Sequence, residues 1–158
     1  MKILGIDPGP SKSAIVVLDS GNKIESHGIY ENEDLLNFIT TSRDRGIAHV
    51  VVEMIASMGM PVGKEVFETC LFIGQIKECW KWVCPVKVLG TGVVLIYRKD
   101  IKMHLCGSMR AKDSNIRAAL IDRFGKPGTK KQKGILYGIK ADEWSALAIA
   151  VTFYDKHK

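Results

Sequence analysis

The chain begins with the stretch KILGIDPGPSKSAIVVLD, residues 2–19, in which two apolar runs flank a turn rich in proline and glycine. Residues 2–7 predict a short buried strand that ends on the acid Asp7, and residues 14–19 predict a second strand that returns beside it as a hairpin. Asp7 would then lie at the tip of a central strand, where a carboxylate is costly unless a cation accompanies it. The stretch therefore predicts a metal ligand at position 7.

Chain length narrows the classes of protein that this hairpin allows. Strand, acid and hairpin in this order are typical of ribonuclease H-like nucleases and also of the actin-like and sugar-kinase ATPases. The 158 residues, 46% of them hydrophobic, predict one domain over residues 1–158, because about 150 residues bury roughly 70% of their unfolded surface. The ATPases close two such domains over a nucleotide, so a single unit of this length argues against them.

A second acid ends another strand that we expect at the centre of the sheet. Residues 23–30 predict a third strand that completes an antiparallel meander, and the acids and asparagine of residues 31–34 predict the start of a helix that Gly46 ends. Residues 47–52 are continuously apolar and rich in β-branched side chains, as in a strand covered on both faces, and Glu53 follows them. Parallel pairing with residues 2–7 would place Asp7 beside Glu53, and two close carboxylates repel each other.

The remaining elements complete an α/β fold class. Their apolar spacing predicts helices over residues 64–83, 98–106 and 113–124 and a fifth strand over residues 86–89. The whole pattern predicts a five-stranded mixed sheet flanked by helices. Since the apolar face of residues 64–83 is broader than the usual stripe, that helix belongs either to the core or to a subunit interface.

Asp142 supplies a third acidic position, at the start of a helix whose alanines at positions 146, 148 and 150 permit close packing on the sheet. Helix capping is an alternative role for Asp142 or for Glu143, because acids complement the helix dipole. Together with the two strand-end acids, Asp142 makes a set of hard oxygen ligands for Mg²⁺ or Mn²⁺. Such a set fits a two-metal arrangement, in which one ion activates a water and the other stabilises the leaving 3′-oxygen.

The net charge of +6 is unevenly distributed. Residues 1–79 carry 7 Lys and Arg against 11 Asp and Glu, whereas residues 80–158 carry 16 against 6. A half this basic indicates a polyanionic partner, because Lys and Arg release counterions from phosphates; a solvated basic surface is the alternative. Residues 125–140, with four glycines and five lysines, predict a mobile loop that either tracks a phosphate backbone or has no role.

The cysteines and the hydropathy pattern bear on the compartment. The four cysteines have no CxxC spacing and no histidine pair beside them, so the sequence indicates neither a zinc site nor a disulfide framework. Four free thiols suit a reducing cytosol. No apolar run approaches the length of a membrane span, and no signal peptide precedes the first strand. We therefore expect a soluble, cytoplasmic protein.

The order of these motifs resembles the RuvC family of Holliday-junction resolvases, and in particular its phage-encoded branch. The resemblance is carried by GIDPG at residues 5–9, by VVE at residues 51–53 and by Ala141-Asp142 ahead of ALAIA at residues 146–150, and it covers nearly the whole chain. Phage members also look similar around residues 59–65 and 102–108. The resemblance implies a ribonuclease H-like fold, a homodimer, no nucleotide cofactor, and Mg²⁺-dependent paired nicks across a four-way DNA junction. It also implies two ions per active site, replaceable by Mn²⁺, and a place in the cytoplasm of a bacterial host.

Carried over to this chain, the resemblance assigns catalytic and metal-binding roles to Asp7, Glu53 and Asp142. Cellular members have a fourth acid three residues after the position of Asp142, where this chain has Ser145. Either Glu143 or a water would fill that coordination position. Glu143 lies roughly 100° around the helix from Asp142, so it would reach the metal only from a frayed first turn.

The resemblance also implies how the DNA is held. Cellular members have an aromatic residue three positions after the second acid, where this chain has Ala56, so we expect a relaxed sequence preference at the cut site and activity on other branched DNA. Phosphate contacts would position the arms while junction shape provides selection. The basic residues expected to make these contacts are Lys102, Arg110, Lys112, Lys126, Lys130, Lys131 and Lys133.

Three other functions are compatible with the sequence. The first is a different ribonuclease H-like nuclease, acting on replication forks, flaps or RNA–DNA hybrids. The second is a catalytically weak protein that binds branched DNA, which the serine at position 145 makes plausible. The third is a minimal actin-like nucleotide binder, which the residues 5–13 favour but which lacks a second lobe and a further phosphate loop.

Overall fold

The computed structural model describes residues 1–20, 22–57, 59, 61–84 and 92–158. Five strands and five helices lie in these segments. The strands are β1 (Lys2–Asp7), β2 (Lys12–Asp19), β3 (Lys23–Glu31), β4 (Ile47–Met54) and β5 (Val94–Tyr97). The helices are α1 (Asn32–Thr40), α2 (Lys64–Val83), α3 (Arg98–Cys106), α4 (Asp113–Phe124) and α5 (Glu143–His157).

The strands form a mixed sheet with the order β3-β2-β1-β4-β5. β2 pairs antiparallel with both β1 and β3, which is the predicted meander, while β4 lies parallel to β1 and β5 lies parallel to β4. Helices flank this sheet, so the predicted fold class, a five-stranded mixed α/β sheet, is confirmed.

The strand that pairs with β4 was not predicted from the sequence. The strand predicted at residues 86–89 lies outside the described residues, whereas the strand that pairs with β4 is β5, at Val94–Tyr97. Its four residues are only partly covered, apart from the buried Ile96, so their pattern in the sequence is weaker than that of a central strand. The position of β5 matters because the residue that follows it is Arg98.

Two apolar layers cover the two faces of the sheet. Ile3, Val16 and Val51 belong to one layer, which they share with α3, α4 and α5. Leu4 and Val52 point to the opposite layer, which contains α1 and α2. Because successive residues of β1 and β4 are buried on alternate faces, both strands need a continuous apolar run.

Helix α5 packs unusually close to β1. A Cβ atom on Gly5 would clash with the carbonyl oxygen of Ala146 and would lie 3.0 Å from the Cβ of Ala150. The glycine and the two alanines therefore let the backbones of α5 and β1 approach each other. This contact sets the distance between the start of α5 and the end of β1, where the acidic residues lie.

Helix α2 has one face in the core and another in solvent. Its buried residues include Phe72, Ile76 and Trp80, whereas Leu71 and Trp82 are 71% and 77% exposed. The broad apolar pattern in the sequence thus comes from two separate faces. Neither this 20-residue helix nor any other within the described segments is long and apolar enough to cross a membrane.

Candidate active site

Asp7 and Glu53 lie at neighbouring strand ends. Ile6 of β1 is opposite Val52 of β4 in parallel register, so the residues that follow each of them lie at the same edge of the sheet. The pairing predicted from the sequence is therefore present. It brings together two acids that are 46 positions apart in the chain.

The turn that follows Asp7 is held by a small hydrogen-bond network. The Ser13 hydroxyl accepts a hydrogen bond from the Gly9 amide at 3.2 Å and donates one to Asn32 Oδ1 at 2.7 Å. The Asn32 side-chain amide in turn donates to the Gly9 carbonyl at 3.0 Å. These bonds fix the direction in which the chain leaves β1, and with it the position of the Asp7 carboxylate.

Asp142 precedes the first residue of α5 and makes no capping hydrogen bond. It occupies the N-cap position with φ −72° and ψ −9°. Ala141, just before it, has a φ of 45°, in the left-handed region that residues other than glycine rarely adopt. The Asp142 side chain therefore does not cap the helix by a hydrogen bond, although its charge lies where the helix dipole favours an acid.

Asp7 lies within the electrostatic influence of both Glu53 and Asp142. Burial, reinforced by the charges of Glu53 and Asp142, raises the pKa of Asp7 to about 7, against the smaller opposing effects of Arg98 and a hydrogen bond with Ser145. Burial also raises the pKa of Glu53, although the positive charge of Arg98 opposes this rise. The charges of Glu53 and Asp142 thus add to the effect of burial on Asp7, as expected where negative charges are brought near one another.

Arg98 is a member of this site that the sequence analysis missed. Its Nη1 donates to Glu53 Oε2 at 3.1 Å and to Ser145 Oγ at 3.2 Å, and its Nη2 donates to Asp113 Oδ1 at 2.5 Å. Burial opposes the charge of Arg98, but the carboxylates of Glu53 and Asp113 outweigh it and raise the pKa of the guanidinium further. Arg98 directly follows β5, which is parallel to β4, so it emerges at the same edge as Glu53. No signal in the sequence indicated this position, because that strand was not predicted.

Ser145 occupies the place where the resemblance calls for a fourth acid. It lies one helical turn after Asp142, and its hydroxyl contacts both the Arg98 guanidinium and the Asp7 carboxylate. A hydroxyl at this position binds the other members of the site without adding a negative charge.

Glu143 is directed to a different part of the molecule. Its side chain is 2% exposed, and Oε2 accepts a hydrogen bond from the Lys140 amide at 3.0 Å and contacts His27 Nδ1 at 2.9 Å. His27 belongs to β3, so this contact ties the start of α5 to the sheet. We therefore assign Glu143 a positioning role rather than the metal-ligand role considered from the sequence.

Among the described residues, no group of three or more His, Cys, Asp or Glu side chains is arranged to hold a metal ion. The Glu53 carboxylate is paired with Arg98. The side chains of Asp7, Glu53 and Asp142 still suit a hard divalent cation, because they offer carboxylate oxygens as donors. A cation would also offset the charges of Glu53 and Asp142, which, after burial, contribute to the raised pKa of Asp7.

The predicted DNA-contacting residues lie mostly in solvent. Lys102 is half-buried one turn after Arg98 in α3, and the others are exposed. The lysine-rich segment, predicted as a mobile loop, is closed by hydrogen bonds from the Gly134 amide to the Pro127 carbonyl at 2.8 Å and from the Thr129 amide to the Gln132 carbonyl at 2.9 Å. The exposed residues are Arg110, Lys112, Lys126, Lys130, Lys131 and Lys133.

Comparison with known proteins defines the class of fold. No protein-family profile and no curated protein matches this chain. Solved structures do match, and they show that the chain has the ribonuclease H-like fold of RuvC.

Two of these structures come from Thermus thermophilus. RuvC from that organism is 18% identical with a TM-score of 0.66, and the match covers 99% of this chain and 96% of that one. T. thermophilus RuvC in complex with a Holliday junction substrate is 16% identical with a TM-score of 0.66, and the match covers 96% of this chain and 92% of that one.

Proposed function

We propose that this protein is an endodeoxyribonuclease that resolves four-way DNA junctions by paired, symmetric, metal-dependent nicks. The observation that carries the proposal is that Asp7 and Glu53 lie at neighbouring ends of two parallel strands, and that the charges of Glu53 and Asp142 both act on Asp7. The fold adds support, because a structure with the same fold is a RuvC complex with a Holliday junction substrate. We further propose that residues 1–158 act as one nuclease domain of the phage-encoded branch, with a relaxed cut-site preference because Ala56 replaces an aromatic residue.

Asp7, Glu53 and Asp142 would hold Mg²⁺ or Mn²⁺ through their carboxylate oxygens. The bound metal would supply an activated water and stabilise negative charge on the phosphate and the leaving oxygen. Ser145 orients the Asp7 carboxylate through its hydrogen bond. Glu143, fixed by its contacts with His27 and Lys140, holds the start of α5 so that Asp142 lies beside the strand ends.

The DNA arms would lie on the basic half of the molecule. The positive charge of Lys102 acts on Glu53, and the exposed basic residues named above follow it in the chain as far as the closed loop at 127–134. Their contacts would be made with phosphates, so they would supply affinity and orientation rather than sequence recognition.

We propose that the active form is a homodimer in which α2 of one copy packs against α2 of the other. Phe67, Leu71 and Trp82 are 59%, 71% and 77% exposed, and their spacing places them on one face of α2. Gly74 lies on the same face with open space where a Cβ would be, which allows another helix to approach closely. A two-fold dimer suits a junction in which two strands of like polarity must each be cut once.

The test of the dimer is Leu71→Glu, which would bury a charge in the proposed interface. We expect sedimentation of this variant to show a monomer. In the nicking assay, its cuts in the junction should no longer be paired. Ile29→Glu is the matched control, because Ile29 is also an exposed aliphatic side chain but lies on the edge strand β3. A Leu71→Glu protein that remains dimeric would exclude α2 as the interface.

The test of the nuclease is incubation with a synthetic four-way junction and Mg²⁺, followed by a denaturing gel that resolves each labelled strand. We expect nicks at symmetric positions, abolished by EDTA and by Asp7→Asn, while Asp7→Asn still binds the junction. Asp44→Asn, in the exposed turn after α1, is the matched control and should cut normally. Nicking by Asp7→Asn would remove Asp7 from the chemistry.

A protein that binds branched DNA without cutting it is the second candidate. The contact between Arg98 and Glu53, together with a serine in place of the fourth acid, favours it. The same gel separates the two functions, since this candidate binds the junction and leaves every strand intact. Forks, flaps and RNA–DNA hybrids in the same assay would identify a nuclease of different specificity.

A further inference from the structure

Arg98 places a positive charge among the carboxylates that we propose as metal ligands. One nitrogen of its guanidinium contacts Glu53 and Ser145, and another contacts Asp113, at the distances given above. The Arg98 side chain is 28% exposed and that of Glu53 is 18% exposed, so this ion pair is partly shielded from water. Asp113 is 78% exposed and lies at the rim. A single side chain therefore bridges an inner carboxylate and an outer one.

The position of Arg98 is not explained by the helix that carries it. Arg98 is the first residue of α3, where the helix dipole disfavours a positive charge. Asp113 is the first residue of α4, where the dipole favours a negative charge. The contacts with the carboxylates, rather than the stability of α3, account for a cation at this point.

We propose that Arg98 is an internal competitor for the metal, which a divalent cation must displace from Glu53 in order to bind. This inference rests on the proposed metal-dependent nuclease function. Arg98 donates to Oε2 of the Glu53 carboxylate, which is one of the proposed metal ligands, and a carboxylate engaged in a charge-assisted hydrogen bond has less charge to offer a cation. Asp113 holds the other guanidinium nitrogen, so the displaced side chain stays anchored at the rim.

Removal of Arg98 should therefore tighten metal binding by the protein alone. The measurement is a Mn²⁺ titration of the full chain at pH 8, without DNA. Electron paramagnetic resonance detects the free ion at each step of the titration. For Arg98→Gln we expect binding roughly tenfold tighter than in the wild type, as for the loss of one competing charge-assisted hydrogen bond. A residue with a purely structural role would leave the affinity unchanged or weaken it.

Lys99→Gln is the matched control, because it removes the same charge one residue away. The Lys99 ammonium lies 5.9 Å from the centre of the Tyr97 ring, and we expect wild-type affinity from this variant. Equal gains for Lys99→Gln and Arg98→Gln would show a general effect of net charge and would overturn the proposal. Unchanged or weaker binding by Arg98→Gln would also overturn it.

A conservative variant keeps the test decisive if circular dichroism shows that Arg98→Gln does not fold. In Arg98→Lys the ammonium lacks the planar fork that joins Glu53 and Asp113. We then expect tighter Mn²⁺ binding than in the wild type, and unchanged binding would overturn the proposal.

Mn²⁺ binding and junction nicking together separate failure of the nuclease function from failure of the Arg98 competition. If neither the wild type nor Arg98→Gln binds Mn²⁺ better than Asp7→Asn does, the proposed nuclease function fails and takes this inference with it. If the wild type binds Mn²⁺ and nicks junctions while Arg98→Gln binds no more tightly, the nuclease function stands and only the competition is wrong.

Discussion

Replacement of Asp7 by asparagine should stabilise the metal-free protein while it abolishes nicking. Burial and the charges of Glu53 and Asp142 raise the pKa of Asp7 from 3.8 to about 7. The folded protein therefore binds this proton more tightly than the unfolded chain does. Between these two pKa values the folded state carries the extra proton, so its free energy of unfolding falls as the pH rises and becomes level above about pH 7.

The size of the effect follows from the two pKa values. At 1.36 kcal/mol for each pKa unit, the difference between 3.8 and about 7 corresponds to about 4 kcal/mol of lost stability above pH 7. Asparagine cannot ionise, so Asp7→Asn avoids this loss and retains a side chain of nearly the same shape. The stability gained by the variant should be near zero at pH 4 and should grow to about 4 kcal/mol at pH 8.

Urea unfolding in EDTA, followed by circular dichroism at pH values from 4 to 8, measures this difference. Asp44→Asn should follow the wild type, because it removes an exposed carboxylate in a turn. Mg²⁺ should stabilise the wild type and leave Asp7→Asn unchanged, since only the first offers the full set of carboxylates. A difference between Asp7→Asn and the wild type that does not vary with pH, or a less stable Asp7→Asn at pH 8, would refute the reasoning.

Three further perturbations test how the site is built. Gly5→Ala should cost about 1–3 kcal/mol in urea unfolding and reduce nicking, because the new methyl group pushes α5 away from β1 at Ala146; wild-type stability would contradict the close contact. His27→Ala should cost about 1–3 kcal/mol, because it leaves the buried Glu143 carboxylate without one of its partners, and nicking that is unchanged would contradict the positioning role. Junction binding should lose part of its dependence on salt concentration in a triple Lys→Gln variant, and an unchanged salt slope would exclude the loop from the DNA surface; the variant changes Lys130, Lys131 and Lys133.

The periodic elements could be predicted because their apolar patterns are set by burial along the chain. The observed bounds of α2, α3 and α4 agree with the prediction, as does β1. Parallel pairing of β1 with β4 followed from two apolar strands that each end on an acid, and it is present in the structure. Short, partly covered strands have a weaker pattern, which is why β5 at Val94–Tyr97 was not predicted.

The partners of the acids depended on contacts between distant segments. Glu143 is adjacent to Asp142 in sequence, yet its carboxylate turns to His27, 116 positions away. Arg98 reaches Glu53 across 45 positions. Neither contact has a local signature, because a side chain chooses its partner from whatever the packing of helices and strands brings within hydrogen-bond distance.

The amino-acid sequence by itself determined the class of fold and predicted three carboxylates as the site, because burial and strand ends follow from the local order of apolar and acidic residues. Only the tertiary structure decided that an arginine lies among those carboxylates and that the fourth acid of the set is directed elsewhere. The physical reason is that charge within a folded protein is balanced in space, by whichever groups the packing brings together, and not along the chain.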